Sequence, residues 1–144
     1  MAVQIPVATI AKHCNPFEAM PWGMLVTEKM VRAALDAGQI ASAPIPSQRT
    51  PGTRIPASRH AARIAYFVAK GFMDPIQLDV GVPELGAYTS WLIADGNHRF
   101  AAALYSGQTS IACEVSGSLK FAQELFGVDC EDPQYRRGSN SRRA

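Results

Sequence analysis

An α/β (α+β) domain, a small mixed sheet surrounded by helices, is the fold class this sequence predicts, and three observations predict it. The first half holds two runs of helical periodicity, near 28–37 and 58–70. The second half holds short alternating or β-branched runs, interrupted by a small-residue helix. The length of 144 residues and the 47% hydrophobic content suit one compact domain with a real core.

The elements follow in order. Gln4 to Ile10 is rich in β-branched residues and reads as a first strand interrupted by Pro6. Asn15-Pro16 marks a turn. Thr27 is an N-cap for a helix over Glu28 to Ala37, which Gly38 ends. The stretch 43–56 carries Pro44, Pro46, Pro51 and Pro56 and reads as a long loop, a feature that is often functional. A second helix starts near Ser58, with Ala61, Ile64, Ala65 and Val68 on its apolar face, and Gly71 stops it. Ile76, Leu78 and Val80 alternate as a half-buried strand. Tyr88 to Ala94 reads as another strand, and a helix follows from about His98 to Ser106. Ile111, Cys113 and Val115 form a further strand, and Leu119 to Phe126 a last helix. The expected organisation is a single domain over 1–132 and a basic, solvated tail over 133–144.

Composition narrows the function classes. No apolar run is long enough for a bilayer span, so no membrane insertion is expected. Met1 to Ile10 lacks the pattern of a secretory leader. Cys14, Cys113 and Cys130 are odd in number and have no C-x-x-C spacing, which makes a disulfide framework or zinc site unlikely and a cytoplasmic location the default expectation. The histidines His13, His60 and His98 are too scattered for a metal triad, and Trp22 and Trp91 read as core residues rather than platforms for bases.

The net charge of +2 is unevenly spread. Between Ala37 and Met73 no acid occurs, yet Arg49, Arg54, Arg59, Arg63 and Lys70 all fall there. Arg136, Arg137, Arg142 and Arg143 crowd the C-terminus. Segregated charge of this kind suits a polyanion such as DNA, bound through its backbone phosphates. For the tail, a merely solubilising role is the alternative.

The strongest local signal is Ala94-Asp95-Gly96-Asn97-His98-Arg99-Phe100-Ala101-Ala102-Ala103. A strand ends, a glycine turns, and a helix of small residues begins. The free N–H groups and positive dipole end of a first helical turn favour an anion, and phosphate is the usual one. Arg99 adds a planar fork of donors, and His98 is a donor or acid–base group. Asp95 and Asn97 offer oxygen atoms to the magnesium that accompanies a triphosphate. Each group also has a structural reading: Asn97 as a cap, Asp95 as a turn residue, Arg99 in an ion pair, His98 as a satisfied half-buried ring. Phosphate-loop, zinc-helix and nucleophile-elbow motifs are absent.

The same segment, with Gly107 and the strand Ile111 to Val115, resembles the signature of the ParB/sulfiredoxin superfamily. Ile64 to Gly71 followed by Asp74-Pro75-Ile76 is similar to that family's helix, glycine and Pro-Ile strand. Ile10 with Asn15-Pro16 is similar to its opening. In ParB-type members a Gly-Glu-Arg-Arg motif, falling here on Gly96, Asn97, His98 and Arg99, belongs to a CTP site. In sulfiredoxins Gly-Gly-Cys-His-Arg falls on Asp95 to Arg99. Asn97 stands where the reactive cysteine would be, so sulfinic-acid reduction is rejected. Asn97 also replaces the ParB glutamate, and the chain after Val115 is too short for a partition protein's further domains.

The resemblance is greatest to single-domain members with ATPase or nuclease activity, among them plasmid fertility-inhibition proteins. It implies an ATPase and DNase that binds ATP (or another nucleoside triphosphate) with Mg2+. Asp95, Asn97, His98 and Arg99 would be the catalytic residues, Gly96 to Arg99 the nucleotide site, and Arg49, Arg54, Arg59, Arg63 and Lys70 the DNA contacts. A conjugation or secretion machine would be the further partner. The alternative is a non-catalytic regulatory module that holds a phosphate of DNA or of a partner in the same corner.

Overall fold

The computed structural model describes residues 2–45 and 54–130. Arg49, most of the proline-rich loop and the arginine tail lie outside the described residues. The elements are β1 (Val3–Pro6), α1 (Val7–Ala11), α2 (Glu28–Asp36), α3 (Ala57–Lys70), β2 (Ile76–Asp79), a 3-10 turn (Pro83–Leu85), β3 (Ile93–Asp95), α4 (Asn97–Tyr105), β4 (Ser110–Ser116) and α5 (Leu119–Phe126). The strands form one mixed sheet in the order β1-β4-β2-β3. β1 and β4 run antiparallel, β4 and β2 parallel, and β2 and β3 antiparallel. The α+β expectation therefore holds.

Two expected strands are shorter than their sequences suggested. The strand expected over Gln4 to Ile10 stops at Pro6, the last residue paired with β4. Proline is tolerated on this edge because it needs no ladder donor there. Val7 then turns its N–H to the Thr109 carbonyl at 3.0 Å and α1 begins. Val7 and Ile10, three apart, both bury on that helix, so packing overrides their β-branched preference. The strand expected over Tyr88 to Ala94 pairs only from Ile93 onward. Upstream of it, Val82 bridges Ala87 around the 3-10 turn, and Tyr88 stands exposed.

The remaining elements follow the sequence closely. Thr27 caps α2, its Oγ1 accepting from the Met30 N–H at 3.2 Å. Ala61, Ile64 and Ala65 bury on α3, and Gly71 follows its last turn. Ile76, Leu78 and Val80 are buried as one face of β2 and its extension. Among the described residues no helix is long and apolar enough to cross a membrane.

The core has two parts that meet at α4. One gathers the sheet with α1 and α5, through Ile5, Ile10, Ile76, Leu78, Ile111 and Phe126, and includes Phe100 and Ala103. The other lies between α2 and α3, through Val26, Val31, Ile64 and Ala65, and includes Ala101 and Ala102. Helix α4 is thus clamped on two sides. Its alanines make that possible, because a larger residue would hold the neighbouring layers apart. The start of α4 is consequently fixed by both cores at once.

Candidate functional site

The corner at the start of α4 depends on Gly96. This residue adopts φ +99°, a conformation that side chains rarely tolerate. A Cβ there would also come within 2.6 Å of Ile76 Cγ2. Glycine therefore lets the helix start pack directly on β2. Gly96, not Asn97, is the N-cap residue, and no side chain caps the first turn. The reading of Asn97 as a cap is corrected accordingly: Asn97 is already inside the helix, and its Oδ1 accepts from Trp91 Nε1 at 2.8 Å. The leading N–H groups of α4 have no carbonyl of their own helix behind them, and among the described residues no side chain caps them.

They open onto a cleft of about 560 Å3. Asp95, Gly96, Asn97, His98 and Arg99 line one wall, and Arg63, Tyr66, Phe67 and Phe72 another. This volume lies within the range typical of small-molecule sites, about 300–1,000 Å3. The wall from α3 brings in Arg63, which the sequence had grouped with DNA contacts far from the corner.

Arg63 and Arg99 are held differently. Arg99 Nη1 donates to the carbonyls of Asp74 at 2.8 Å and Pro75 at 3.0 Å, and its Nη2 to Asp95 Oδ2 at 3.3 Å. Its side chain is only 14% exposed, so it ties the corner to the approach of β2. Arg63 Nη1 donates to the carbonyls of Ser42 at 2.6 Å and Ala41 at 3.2 Å. Its guanidinium lies 4.3 Å from the centre of the Phe67 ring. Among the described residues Arg63 forms no ion pair. Burial pushes its pKa down, Tyr66 opposes that shift, and the positive charge of Arg99 adds a smaller push in the downward direction. Both guanidinium groups line the cleft, Arg99 paired with Asp95 and Arg63 without an ion pair among the described residues.

His98 sits in a stack of rings. Its Nε2 lies 2.9 Å from His60 Nδ1, and the two rings are nearly parallel, 8° apart. The Trp22 ring covers both, with its centre 4.7 Å from that of His98. Burial first, then the His60 and Arg63 charges, push the His98 pKa down to about 3. Burial lowers that of His60 as well. Both shifts favour the neutral rings. A group so poorly basic is badly matched to acid–base work near pH 7, so the arrangement favours His98 as a pillar of the corner.

Both tryptophans pack against the core as expected, Trp91 on the sheet side and Trp22 on the helical side, and each also does something the sequence did not suggest. Trp22 and Trp91 are half-buried, and both contact the corner directly, one stacked on His98 and one bonded to Asn97. The Trp22 stack has no signal in the sequence, since its partners His60 and His98 lie far along the chain, whereas Trp91 and Asn97 are six residues apart.

Among the basic residues, Arg59 and Lys70 are exposed on α3, and Arg54 is exposed with Nη2 3.5 Å from the Gly23 carbonyl. The cysteines Cys14, Cys113 and Cys130 are all free and buried. Among the described residues no group of three or more His, Cys, Asp or Glu is placed to hold a metal ion. Asp95 offers an exposed carboxylate beside the helix start, 75% accessible, and Asp74 lines the same cleft. That fits a magnesium ion brought in with phosphates, which needs only a carboxylate or two from the protein. Comparison with protein-family models, with curated proteins and with solved structures finds no match for this chain.

Proposed function

We propose that the cleft between α3 and the start of α4 binds a nucleoside triphosphate, with ATP as the first ligand to test. One observation carries the reading: the first turn of α4, with no side-chain cap, and Arg63, with no ion pair among the described residues, line the same cleft. The phosphates would lie against the N–H groups following Gly96, where the helix dipole is positive. Arg63 would approach from the other wall, and Tyr66 and Phe72 would provide ring faces for the base. Both arginines give Nη1 to backbone carbonyls, but Arg99 also gives Nη2 to Asp95, so it supports this site from behind, whereas Arg63 has no carboxylate partner among the described residues. Magnesium held by Asp95 would neutralise phosphate charge and favour hydrolysis.

The resemblance to the ParB/sulfiredoxin superfamily adds ATP hydrolysis and metal-dependent DNA cleavage to this proposal, including a part in restraining plasmid transfer. Arg54, Arg59, Arg63 and Lys70 are the described residues that favour DNA contact. A second reading, a binding module without turnover, is favoured by the structural bonds of Asn97, His98 and Arg99. Calorimetry with ATP and magnesium tests binding, and phosphate release tests turnover. Turnover that is lost in Asp95→Asn while binding persists supports the enzyme. Binding without turnover in the purified wild type supports the module. Absence of ATP binding overturns the nucleotide reading itself.

A further inference from the structure

Helix α3 carries more than the single arginine that faces the cleft. Arg59, Arg63, Tyr66 and Lys70 stand four, three and four residues apart, which places them on one line of the helix. Arg59 and Lys70 are exposed, and Arg63 and Tyr66 are half-buried at the cleft wall. No acid occurs from Ala37 to Met73, and the carboxylates at the cleft come from Asp74 and Asp95 beyond it. From Arg59 to Lys70 the line is roughly 16 Å long at the helical rise. A compact anion occupies only its middle. A ligand whose charge is repeated along its length would reach the outer cations as well.

The rings identify that ligand further. Tyr66 and Phe67 meet edge to face, with ring centres 5.4 Å apart, and Phe67 meets Phe72 the same way at 5.9 Å. Arg63 lies over Phe67 and beside Tyr66, at 4.3 and 5.2 Å from their ring centres. Cations that follow a backbone, interleaved with ring faces that accept bases, are the equipment for single strands. A duplex keeps its bases paired and stacked inside, where rings recessed in a cleft cannot meet them.

We propose that a single-stranded polynucleotide runs along the Arg59–Lys70 line and that one of its bases turns into the cleft against Tyr66. This rests on the nucleotide reading of the cleft and names a strand as its larger substrate. The inserted nucleotide's own phosphate pairs with Arg63, and phosphates before and after it along the strand pair with Arg59 and Lys70. The inserted nucleotide occupies the same space as ATP, so the two ligands compete.

Fluorescence anisotropy with labelled twelve-residue oligonucleotides tests this on the whole chain. The oligothymidylate strand is expected to bind at least tenfold more tightly than a duplex of the same length. Its affinity should fall with salt at a log–log slope of about −2, the value for three phosphates of a single strand. Tyr66→Ala should weaken strand binding about tenfold or more, and Tyr66→Phe should restore it, since the ring face is kept. The charge reversals Arg59→Glu and Lys70→Glu should each weaken it and flatten the salt slope. An oligouridylate arm separates RNA from DNA: preference for either strand over the duplex supports the proposal and assigns the sugar. Equal affinity for strand and duplex overturns it, as does strand binding by Tyr66→Ala at the wild-type level. Calorimetry of wild type with ATP separates the two failures. ATP binding without strand preference overturns this inference alone, whereas loss of both removes its foundation.

Discussion

Helix α2 begins on Thr27 and α5 on Ser118, and each hydroxyl accepts from an N–H of its helix's first turn at 3.2 Å. Helix α4 begins on Gly96 and has no such cover. The hydroxyl caps complete their helices internally and leave little for a ligand to do. The start of α4 leaves its donors to the cleft, yet it is the more firmly placed, pressed on Ile76 and clamped between both parts of the core. The contrast teaches that an open helix end need not be a loose one. Rigidity here comes from side packing, which leaves the donors available.

Substitutions at the two kinds of helix start should separate these roles. The largest effect is expected for Gly96→Ala. Strain at φ +99° and the collision with Ile76 should together remove about 2–4 kcal/mol of stability, measured by urea unfolding. A near-neutral result would show that the corner yields, and the idea of a rigid open end would fail.

Arg63→Ala comes next. Loss of a charged hydrogen bond to phosphate should weaken ATP binding by about 1.5–3 kcal/mol in calorimetry. An unchanged affinity in a folded variant would move the anion away from the α3 wall.

The ring stack provides a pH-dependent test. His98 is held near 3 in the fold against an ordinary 6.5. The unfolded chain therefore binds more protons than the native one between these values, and stability must fall as pH drops through that window. From pH 6.5 to 5, before carboxylates contribute much, His98 should add a slope of about 1.4 kcal/mol per pH unit at most. His60 shifts in the same direction and adds to it. Urea unfolding of His98→Gln should show a shallower dependence. Parallel curves for variant and wild type would mean that the ring is protonated as readily in the fold as outside it.

Thr27→Ala should cost about 1 kcal/mol of stability and leave ATP affinity untouched, which marks the start of α2 as purely structural. The smallest effect concerns the thiols. Burial raises all three, with Cys113 pushed up to about 12, so a neutral-pH thiol reagent should label none until the chain unfolds. Rapid labelling of the native protein would contradict their burial.

The parts legible in the sequence were those written in neighbouring residues. Thr27 and Gly38 bracket α2, and the strand, glycine and alanine run of 93–103 announces the α4 corner. Alternation over Ile76 to Val80 marks β2. What stayed hidden depends on approach across the chain. His60 meets His98 across 38 positions, and Trp22 joins them from a loop with no periodic pattern. The carbonyls that occupy Arg99 come from Asp74 and Pro75, so its committed state could not be read from the motif. Arg63 looked like one basic residue among five, and only the packing of α3 against α4 brings it to the corner. Val7 to Ile10 misled for the converse reason: β-branched residues accept a helix when burial rewards it.

The position of α4 between two bodies of packed side chains has a consequence in time as well as space. Phe100 and Ala103 face one body, and Ala101 and Ala102 the other, so the helix cannot open without disturbing both. Its interior amides should exchange with solvent deuterium only on global unfolding, and so rank among the slowest in the protein. The segment that presents the cleft's backbone donors would then be among the last to melt, and it would meet each ligand already in shape.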